Sequence, residues 1–162
     1  MPILFSLSVV GLLVANILGS VVVHSLTGLY VHRLPLTRLE RDGWLLRPRR
    51  WEQGGAVYQR WFSIRHWKDH LPEAGALFAG GISKRHLSMD LDRFVIETRR
   101  AERGHWMAMA ASPVFALWNP PLGVALMVGY GVVVNAPFIA VQRYNRQRAQ
   151  GVLTSRARRS RR

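Results

Sequence analysis

The chain lacks cysteine and is poor in acidic residues: 9 Asp and Glu stand against 23 Lys and Arg in 162 residues. The absence of cysteine excludes a disulfide framework, a thiolate zinc or iron–sulfur site and a cysteine nucleophile. A formal net charge of +14 on a soluble domain would indicate a nucleic-acid partner. A hydrophobic content of 49% is unusual for a soluble nucleic-acid-binding domain. The position of the charges along the chain therefore has to show whether they mark a nucleic-acid partner or another class of protein.

Two long stretches lack every charged residue type. Residues 1–32 and 104–142 contain no Lys, Arg, Asp or Glu. Residues 33–103 carry 15 basic and 9 acidic side chains, and residues 143–162 carry eight Arg and no acid. Charge that flanks apolar blocks in this way is typical of a membrane protein whose basic parts lie on one side of the bilayer. The distribution of the basic residues therefore indicates how the chain is oriented in a membrane. We expect no nucleic-acid partner.

The first apolar block predicts an N-terminal transmembrane helix within residues 1–32. Residues 3–23 would form a helix of about 31 Å, which matches a hydrocarbon core of roughly 30 Å. A cleaved signal peptide is the competing interpretation, but no Lys or Arg precedes the run, which is also long for a signal sequence. Small residues four apart, at Gly11, Ala15 and Gly19, favour the close approach of another helix. Asn16 is expected to hydrogen-bond to that helix.

The second block, residues 105–142, predicts a membrane hairpin broken at Asn119–Pro121. Proline lacks an N–H and restricts the residue before it, so one continuous helix is excluded. Residues 122–141 are long enough to span alone. Residues 106–118 would form only about 20 Å of helix, which is too short to span unless the helix is tilted or extends back through Arg103. A re-entrant or interfacial segment is the alternative for this arm.

The distribution of arginine predicts the orientation. Six Arg follow the first block between residues 33 and 50, whereas only the α-amino group precedes it. The positive-inside rule then places the N-terminus outside, and residues 33–104 and the tail 143–162 in the cytoplasm. The predicted fold class is mostly α, a multi-pass cell-membrane protein with three membrane segments. Within the basic region we expect a helix over residues 89–104 with Ser88 as its N-cap, and a helix or strand over 56–70.

A carboxylate and an imidazole stand three residues apart where this last helix meets the membrane. Glu102 and His105 can touch on one side of a helix, and a carboxylate beside an imidazole makes the histidine a usable general base. A simple surface contact between the two is the alternative interpretation. His86 is the second candidate base.

Other chemistry finds little support in the sequence. Glu102-x-x-His105 has the spacing of half a di-iron site, but a second such motif is absent, so no metal or other cofactor is predicted. No Gly-x-Ser-x-Gly motif is present, so a covalent serine mechanism is not predicted.

An arginine-rich stretch follows the second apolar block. Arg143, Arg146 and Arg148, with Tyr144 and Asn145 between them, could bind anionic lipid headgroups or the phosphate of an acyl carrier or coenzyme A. A basic anchor that only sets the topology is the alternative.

Several of these motifs occur in the same order in one known family. They are Trp61-Phe62-x-x-Arg65-x-Trp67-Lys68, Arg85-His86-Leu87, Ile96-Glu97-Thr98-x-Arg100-Ala101-Glu102-x-x-His105-Trp106, Asn135-x-Pro137 and Val141-Gln142-Arg143-Tyr144-Asn145-Arg146-x-Arg148. Over residues 56–148 the chain resembles the glycosyl-4,4'-diaponeurosporenoate acyltransferases. The resemblance implies a membrane enzyme of carotenoid biosynthesis that esterifies a sugar hydroxyl of a glycosylated lipid with a fatty acyl group. It also implies an acyl donor, either acyl-CoA or an acyl carrier, and a glycolipid acceptor.

These observations combine into one hypothesis about roles. His105 would be the general base, Glu102 would orient it, and His86 would be the reserve. The predicted substrate-binding residues are Glu97, Arg100, Trp106, Arg143, Tyr144, Asn145, Arg146 and Arg148. The alternative is a non-enzymatic basic anchor that binds anionic lipid or a pathway enzyme. Assembly into a homo-oligomer stays open.

Overall fold

A computed structural model describes residues 7–71 and 90–162 of the chain. Five α-helices lie in these residues: α1 (Val9–His32), α2 (Ala56–Phe62), α3 (Ile64–Trp67), α4 (Leu91–Ala110) and α5 (Pro121–Arg159). Short 3-10 segments connect them, and these two ranges contain no strand. The mostly helical prediction is therefore confirmed, and the stretch 56–70 is helical rather than extended.

The two helices α1 and α5 are each long and apolar enough to cross a membrane. Their apolar side chains point outward: Val9 is 75% exposed, Leu122 74% and Val133 72%. The most apolar window of α1 has no buried residue at all. Neither helix is therefore the buried core helix of a soluble domain along its apolar stretch.

The helix α4 starts later and ends later than the sequence pattern predicts. It begins at Leu91, where the Asp90 side chain caps it by accepting a hydrogen bond from the Arg93 backbone N–H at 3.0 Å. The predicted cap, Ser88, lies outside the described residues. The helix then runs past Gly104 to Ala110, so it crosses the predicted division between the basic region and the hairpin. The predicted end at residue 104 was placed where the charged residues stop, but this change in composition does not end a helix. The next residue that interrupts a helix is Pro113.

A break separates α4 from α5 between Ala110 and Pro121. A 3-10 segment, Ser112–Leu117, follows α4, and α5 begins at Pro121. Proline suits the first position of a helix, where its missing N–H is not needed. The two arms lie in close contact, because a Cβ on Gly131 of α5 would collide with the Ser112 hydroxyl.

The helix α5 continues 18 residues beyond Val141, through the predicted tail to Arg159. Arginine and glutamine are good helix formers, and no glycine or proline interrupts the chain between Val141 and Gln150. Within this stretch, Tyr144 and Arg146 are buried. The first part of the predicted tail is therefore packed protein rather than a loose basic extension.

The helix α1 packs alongside the first arm of the hairpin. A Cβ on Gly19 would lie 3.0 Å from the rings of Phe115 and Trp118, which confirms close approach at this member of the small-residue stripe. Near the other end of α1, Val31 lies against Gly104 of α4. The two segments therefore run antiparallel.

A polar contact closes this packing near the hairpin turn. Asn16 and Asn119 exchange two side-chain hydrogen bonds, of 3.0 and 2.7 Å, and Trp118 Nε1 donates to Asn16 at 2.8 Å. The predicted role of Asn16 as an interhelical hydrogen-bonding residue is confirmed.

Candidate active site

His105 lies on the part of α4 that faces α5. Its Nδ1 is 2.9 Å from Oδ1 of Asn135, a fully buried residue of α5. Phe138, about one turn further along α5, stacks on the imidazole with ring centroids 4.6 Å apart and an interplanar angle of 14°. The hydrogen bond holds the edge of the imidazole and the stacking holds its face, so the ring has a defined orientation.

The hydrogen bonds of Asn135 determine which imidazole nitrogen is free. The Asn135 amide nitrogen donates to the Gly131 carbonyl at 2.8 Å, so the amide oxygen faces His105. An amide oxygen only accepts, and Nδ1 of His105 must therefore carry the proton and donate it. In the neutral imidazole the lone pair then resides on Nε2. This nitrogen is the atom of His105 that can accept a proton from a substrate hydroxyl.

Glu102 does not take the place beside His105 that the sequence predicted. No hydrogen bond or ion pair joins the two side chains in the described part of the chain; Oε2 of Glu102 instead lies 2.6 Å from Nη1 of Arg146. Three residues turn a helix by about 300°, so the two side chains point in directions about 60° apart. Glu102 faces an arginine, which is the stronger partner for a buried carboxylate, and His105 faces Asn135.

Six charged side chains form a buried ion-pair network beneath the site. It contains three carboxylates and three guanidinium groups: Asp42, Glu52, Glu102, Arg99, Arg143 and Arg146. Arg143 lies 3.2 Å from Glu52, Arg146 lies 3.6 Å from Asp42, and Arg99 lies 2.7 Å from Asp42. The charges balance, which is the condition under which buried ions are tolerated.

Backbone carbonyls satisfy further N–H groups of the same arginines. Arg143 donates to the Arg47 carbonyl at 2.9 Å, and Arg146 donates to the Leu46 carbonyl at 2.7 Å. Arg146 is fully buried and Arg143 is only 8% exposed. The network therefore fastens the connector around residue 46 to α4 and α5. Both arginines are engaged inside the protein, which corrects their predicted position as accessible phosphate ligands.

Burial changes the ionisation of two groups in or beside the network. It raises the pKa of Glu102, and the positive charges of Arg146 and Arg143 oppose the rise. It also raises the pKa of Tyr58, an effect that Glu52 strengthens through its charge and its hydrogen bond with the phenol. The Tyr58 hydroxyl is thus held protonated as a donor to Glu52.

Two further predicted substrate ligands are engaged in structural contacts. Arg100 donates through Nη1 to the carbonyls at the end of α1, including Val31 at 2.6 Å and His32 at 2.8 Å. These carbonyls lack partners within their own helix, so Arg100 caps α1. Glu97 pairs with Arg100 at 2.9 Å and with Arg93 at 3.0 Å.

The aromatic members of the predicted set lie on different sides of the fold. Trp106 donates through Nε1 to Glu102 at 3.2 Å, and its other side lines an apolar groove of about 300 Å³ between α1 and α4. Tyr144 is buried, and its hydroxyl accepts a hydrogen bond of 2.7 Å from Nε of Arg65. Of these two aromatic residues, Trp106 faces a space that a ligand could enter, whereas Tyr144 is buried within the protein.

The remaining predicted ligands have separate positions. Asn145 is half-buried on α5, and Arg148 is exposed. Arg148 lines an open groove of about 570 Å³ together with Arg156 and Arg159. His86 lies outside the described residues. Residues 7–71 and 90–162 contain no group of three or more His, Cys, Asp or Glu side chains arranged to hold a metal ion.

Two polar residues within the apolar blocks were not among the predicted site residues. Asn135 was noticed only as part of a motif, although a polar residue within an apolar block often faces protein. His24 interrupts the first apolar block, and its Nδ1 lies 2.8 Å from the carbonyl of Ser20 on the same helix. An ionisable side chain inside an uncharged run was the signal that could have identified His24.

The fold and the site define a small helical protein with two membrane-length helices and an oriented histidine. A family model described as glycosyl-4,4'-diaponeurosporenoate acyltransferase matches residues 42–155. The chain belongs to this family, as the motif resemblance predicted, and the match extends beyond residues 56–148 at both ends.

Curated proteins with the same description are similar to the chain. The protein of Staphylococcus aureus strain bovine RF122 / ET3-1 is 33% identical over 106 residues, which cover 63% of this chain and 64% of that protein. The proteins of strains USA300 and MRSA252 are 32% and 31% identical over the same shares. The chain thus matches slightly less than two thirds of the length of these relatives. No solved structure matches the chain.

Proposed function

We propose that the protein is a membrane acyltransferase that esterifies a sugar hydroxyl of a glycosylated lipid, with a carotenoid glucoside as the model acceptor. Membership of the family supports the reaction class, and the names of the relatives supply the acceptor class. The oriented His105–Asn135 pair is the observation that carries the mechanism.

The outward-facing apolar side chains support a position in the bilayer. Burial of apolar surface contributes about 25 cal/mol per Å² removed from water, so the exposed faces of α1 and α5 would be costly in an aqueous phase. The buried network and the C-terminal half of α5 would lie at the cytoplasmic surface, where the arginines concentrate. The active-site histidine would then lie just inside the apolar layer, next to the headgroup of a lipid substrate.

The reaction would proceed by direct transfer. His105 Nε2 takes the proton from the acceptor hydroxyl while that oxygen forms a bond to the carbonyl carbon of the acyl donor. The bond between this carbon and the donor's leaving group breaks, and the imidazolium returns the proton to the leaving group. Asn135 holds the Nδ1 proton in place throughout, so the base keeps one tautomer.

Two grooves support separate positions for the two substrates in this proposal. The donor's phosphate would bind at the open groove of Arg148, Arg156 and Arg159, because Arg143 and Arg146 are engaged in the buried network. A lipid chain would lie in the apolar groove beside Trp106, which Arg38 and Arg103 also line. When the acyl donor and the acceptor are both oriented in this way, the acceptor hydroxyl itself is the nucleophile, so the reaction needs no nucleophile from the protein.

Replacement of His105 tests the proposal. Purified His105→Gln protein in vesicles, given acyl-CoA and a glucosylated carotenoid, should lose about 10²-fold or more of the parental transfer rate. His66→Ala is the matched control, since His66 is an exposed histidine away from the site. His86→Ala tests the reserve base in the same assay.

Two outcomes would contradict the proposal. Transfer near the parental rate in folded His105→Gln protein would remove the base, and loss in His86→Ala alone would move the role to His86. Absence of ester product from the parental protein with both acyl-CoA and acyl carrier donors would favour the non-enzymatic anchor.

A further inference from the structure

Four large aromatic side chains are exposed in residues 33–71, between α1 and α4. Trp44 is 79% exposed and Trp61 is 73% exposed, and Trp51 and Phe62 are exposed as well. Two of these rings lie in the connector before α2, and the other two are the last residues of α2. Apolar rings are costly to leave in water, so their concentration in this segment indicates a contact with something other than water.

The connector that carries the first two rings is fixed to α5 directly after its apolar stretch. The Leu46 carbonyl accepts a hydrogen bond of 2.7 Å from Arg146, and Glu52 lies 3.2 Å from Arg143. Both exposed tryptophans of the connector lie within two residues of these contacts. The two arginines follow Val141, at the end of the apolar stretch, by about 3 and 8 Å along the helix at 1.5 Å per residue.

The helices α2 and α3 pack on α5 at the same level. Tyr58 of α2 and Ile64 of α3 form a buried apolar cluster with Val141 and Tyr144 of α5. The two exposed rings of α2 lie between these cluster residues in the chain. The backbone that carries them is therefore also held beside the end of the apolar stretch.

This level corresponds to the headgroup layer of a bilayer that α5 crosses. The layer extends about 5–8 Å beyond the hydrocarbon core on each side, which is the range over which the connector, α2 and α3 contact α5. Tryptophan side chains are enriched at this depth in membrane proteins, because their amphipathic rings suit the boundary between lipid and water. A position in the headgroup layer would therefore account for the four exposed rings.

The charge beside the rings favours anionic lipid. Arg47, Arg50 and Arg60 are exposed. Two of the three acidic residues in residues 33–62, by contrast, are paired with arginines in the buried network. The Arg49 guanidinium lies 5.3 Å from the centroid of the Trp44 ring, so cationic and aromatic groups share this surface. A leaflet with anionic headgroups attracts basic side chains that lie within a Debye length of it.

We propose that the connector and α2 form an interfacial surface that binds a leaflet containing anionic phospholipid. The rings of Trp44, Trp51, Trp61 and Phe62 enter the headgroup layer, and the exposed arginines beside them interact with lipid phosphates. Because the buried network joins this surface to α4 and α5, the contact also fixes the depth of His105 relative to the headgroups. The inference rests on the proposed position of α5 in the bilayer and adds to it a lipid class and a second membrane contact.

The absence of cysteine allows a spin label to be attached at one chosen position of the full chain. The variants are Phe62→Cys, Val133→Cys and Arg158→Cys, each reconstituted in vesicles of phosphatidylcholine alone or of an equal mixture with phosphatidylglycerol. Val133 is an exposed residue of the apolar stretch and provides the hydrocarbon reference. Arg158 is exposed near the end of α5 and provides the aqueous reference. Thermal unfolding in detergent checks that each variant is folded.

The measurement compares collisions of each label with oxygen, which concentrates in lipid, and with a water-soluble nickel chelate. In the mixed vesicles we expect the label at residue 62 to collide with the chelate about threefold less often than the label at residue 158, because it lies in the headgroup layer. The label at residue 133 should be the most protected of the three. Pure phosphatidylcholine, or 1 M salt with its Debye length of about 3 Å, should make the label at residue 62 more accessible to the chelate.

Three results would overturn the inference. Equal access of the chelate to the labels at residues 62 and 158 would show that the surface faces water. An immobile label at residue 62, protected from both oxygen and chelate, would show that protein covers the rings, for example a second copy of the chain. Equal protection in the two kinds of vesicle would remove the role of anionic lipid.

The reference labels separate this inference from the proposal on which it rests. If the label at residue 133 were open to the chelate, the proposed position of α5 in the bilayer would fail, and the interfacial surface with it. A protected label at residue 133 together with a water-exposed label at residue 62 would contradict the interfacial surface alone. The transfer assay on His105→Gln tests the proposed reaction independently of both.

Discussion

Glu102 and Arg146 form an ion pair of 2.6 Å between two side chains that have no exposed surface. The pair joins the middle of α4 to the extension of α5 beyond the apolar stretch. Arg143, one turn earlier on α5, lies 3.6 Å from the same carboxylate, and Asp42 lies 3.6 Å from Arg146. The charged region is thereby held to the apolar hairpin as one packed unit.

Loss of the Glu102 carboxylate should destabilise the protein. Glu102→Gln leaves Arg146 buried without its nearest counter-charge, and breaking a buried pair costs about 3–5 kcal/mol. The matched control is Glu97→Gln, whose pairs are partly exposed and should contribute less than about 1 kcal/mol. Denaturant unfolding in detergent micelles measures both. If Glu102→Gln were as stable as the parent but inactive, Glu102 would have a role in the chemistry instead.

Gly131 provides a test of the hairpin packing. Gly131→Ala would place a methyl group against the Ser112 hydroxyl, and overpacking of this kind costs about 1–3 kcal/mol. Gly129→Ala meets no atom within 4 Å and should be neutral or stabilising, because alanine has the higher helix propensity. The Gly131→Ala, Ser112→Ala double variant should recover stability. Equal melting temperatures for the two single variants would contradict this packing.

Part of this architecture could be predicted from the sequence and part could not. The turn at Asn119–Pro121 and the interhelical bond of Asn16 were predictable, because proline chemistry and a polar residue in an apolar run are local signals. The partner of Glu102 was not predictable from the sequence. A spacing of three residues allows Glu102 to contact His105, but it does not show that Arg143 and Arg146, 41 and 44 positions away, are the partners in the fold. The participation of Asp42 and Glu52 in the ion-pair network was likewise not predictable, because both lie in a connector whose sequence has no helical or strand periodicity. The extension of α5 was missed because a change from apolar to basic residues resembles a boundary.

Alkaline pH should weaken the protein through Tyr58. Burial and Glu52 raise its pKa in the folded state above the usual value of about 10. The contribution of the protonated Tyr58 to the free energy of unfolding is therefore fully present below about pH 10. It is lost as the pH rises through the folded-state pKa of Tyr58. Unfolding free energies measured above pH 10 should fall less steeply with pH in Tyr58→Phe than in the parent. Identical pH dependence would show that another group causes the loss.

The open basic groove on α5 should determine affinity for the acyl donor. Arg148→Gln should raise KM for acyl-CoA without changing KM for the acceptor, since it would remove the proposed contact between this groove arginine and the donor's phosphate. Arg158→Gln is the control, because Arg158 is an exposed arginine of α5 that does not line the groove. The parental KM should also rise with salt, which screens exposed charges. If both variants behaved alike, the general positive charge of the helix rather than the groove would bind the donor.

Asn135 should act on the reaction through His105 alone. Asn135→Ala removes the acceptor that holds the Nδ1 proton, so the imidazole can adopt the wrong tautomer or rotate. We expect kcat to fall by about 10- to 100-fold with little change in KM, because substrate contacts are not removed. The same substitution in a His105→Gln background should have no further effect on the residual rate, since the base it orients is already absent. An additive loss in the double variant would show that Asn135 contributes independently of His105, for example by direct contact with the acceptor.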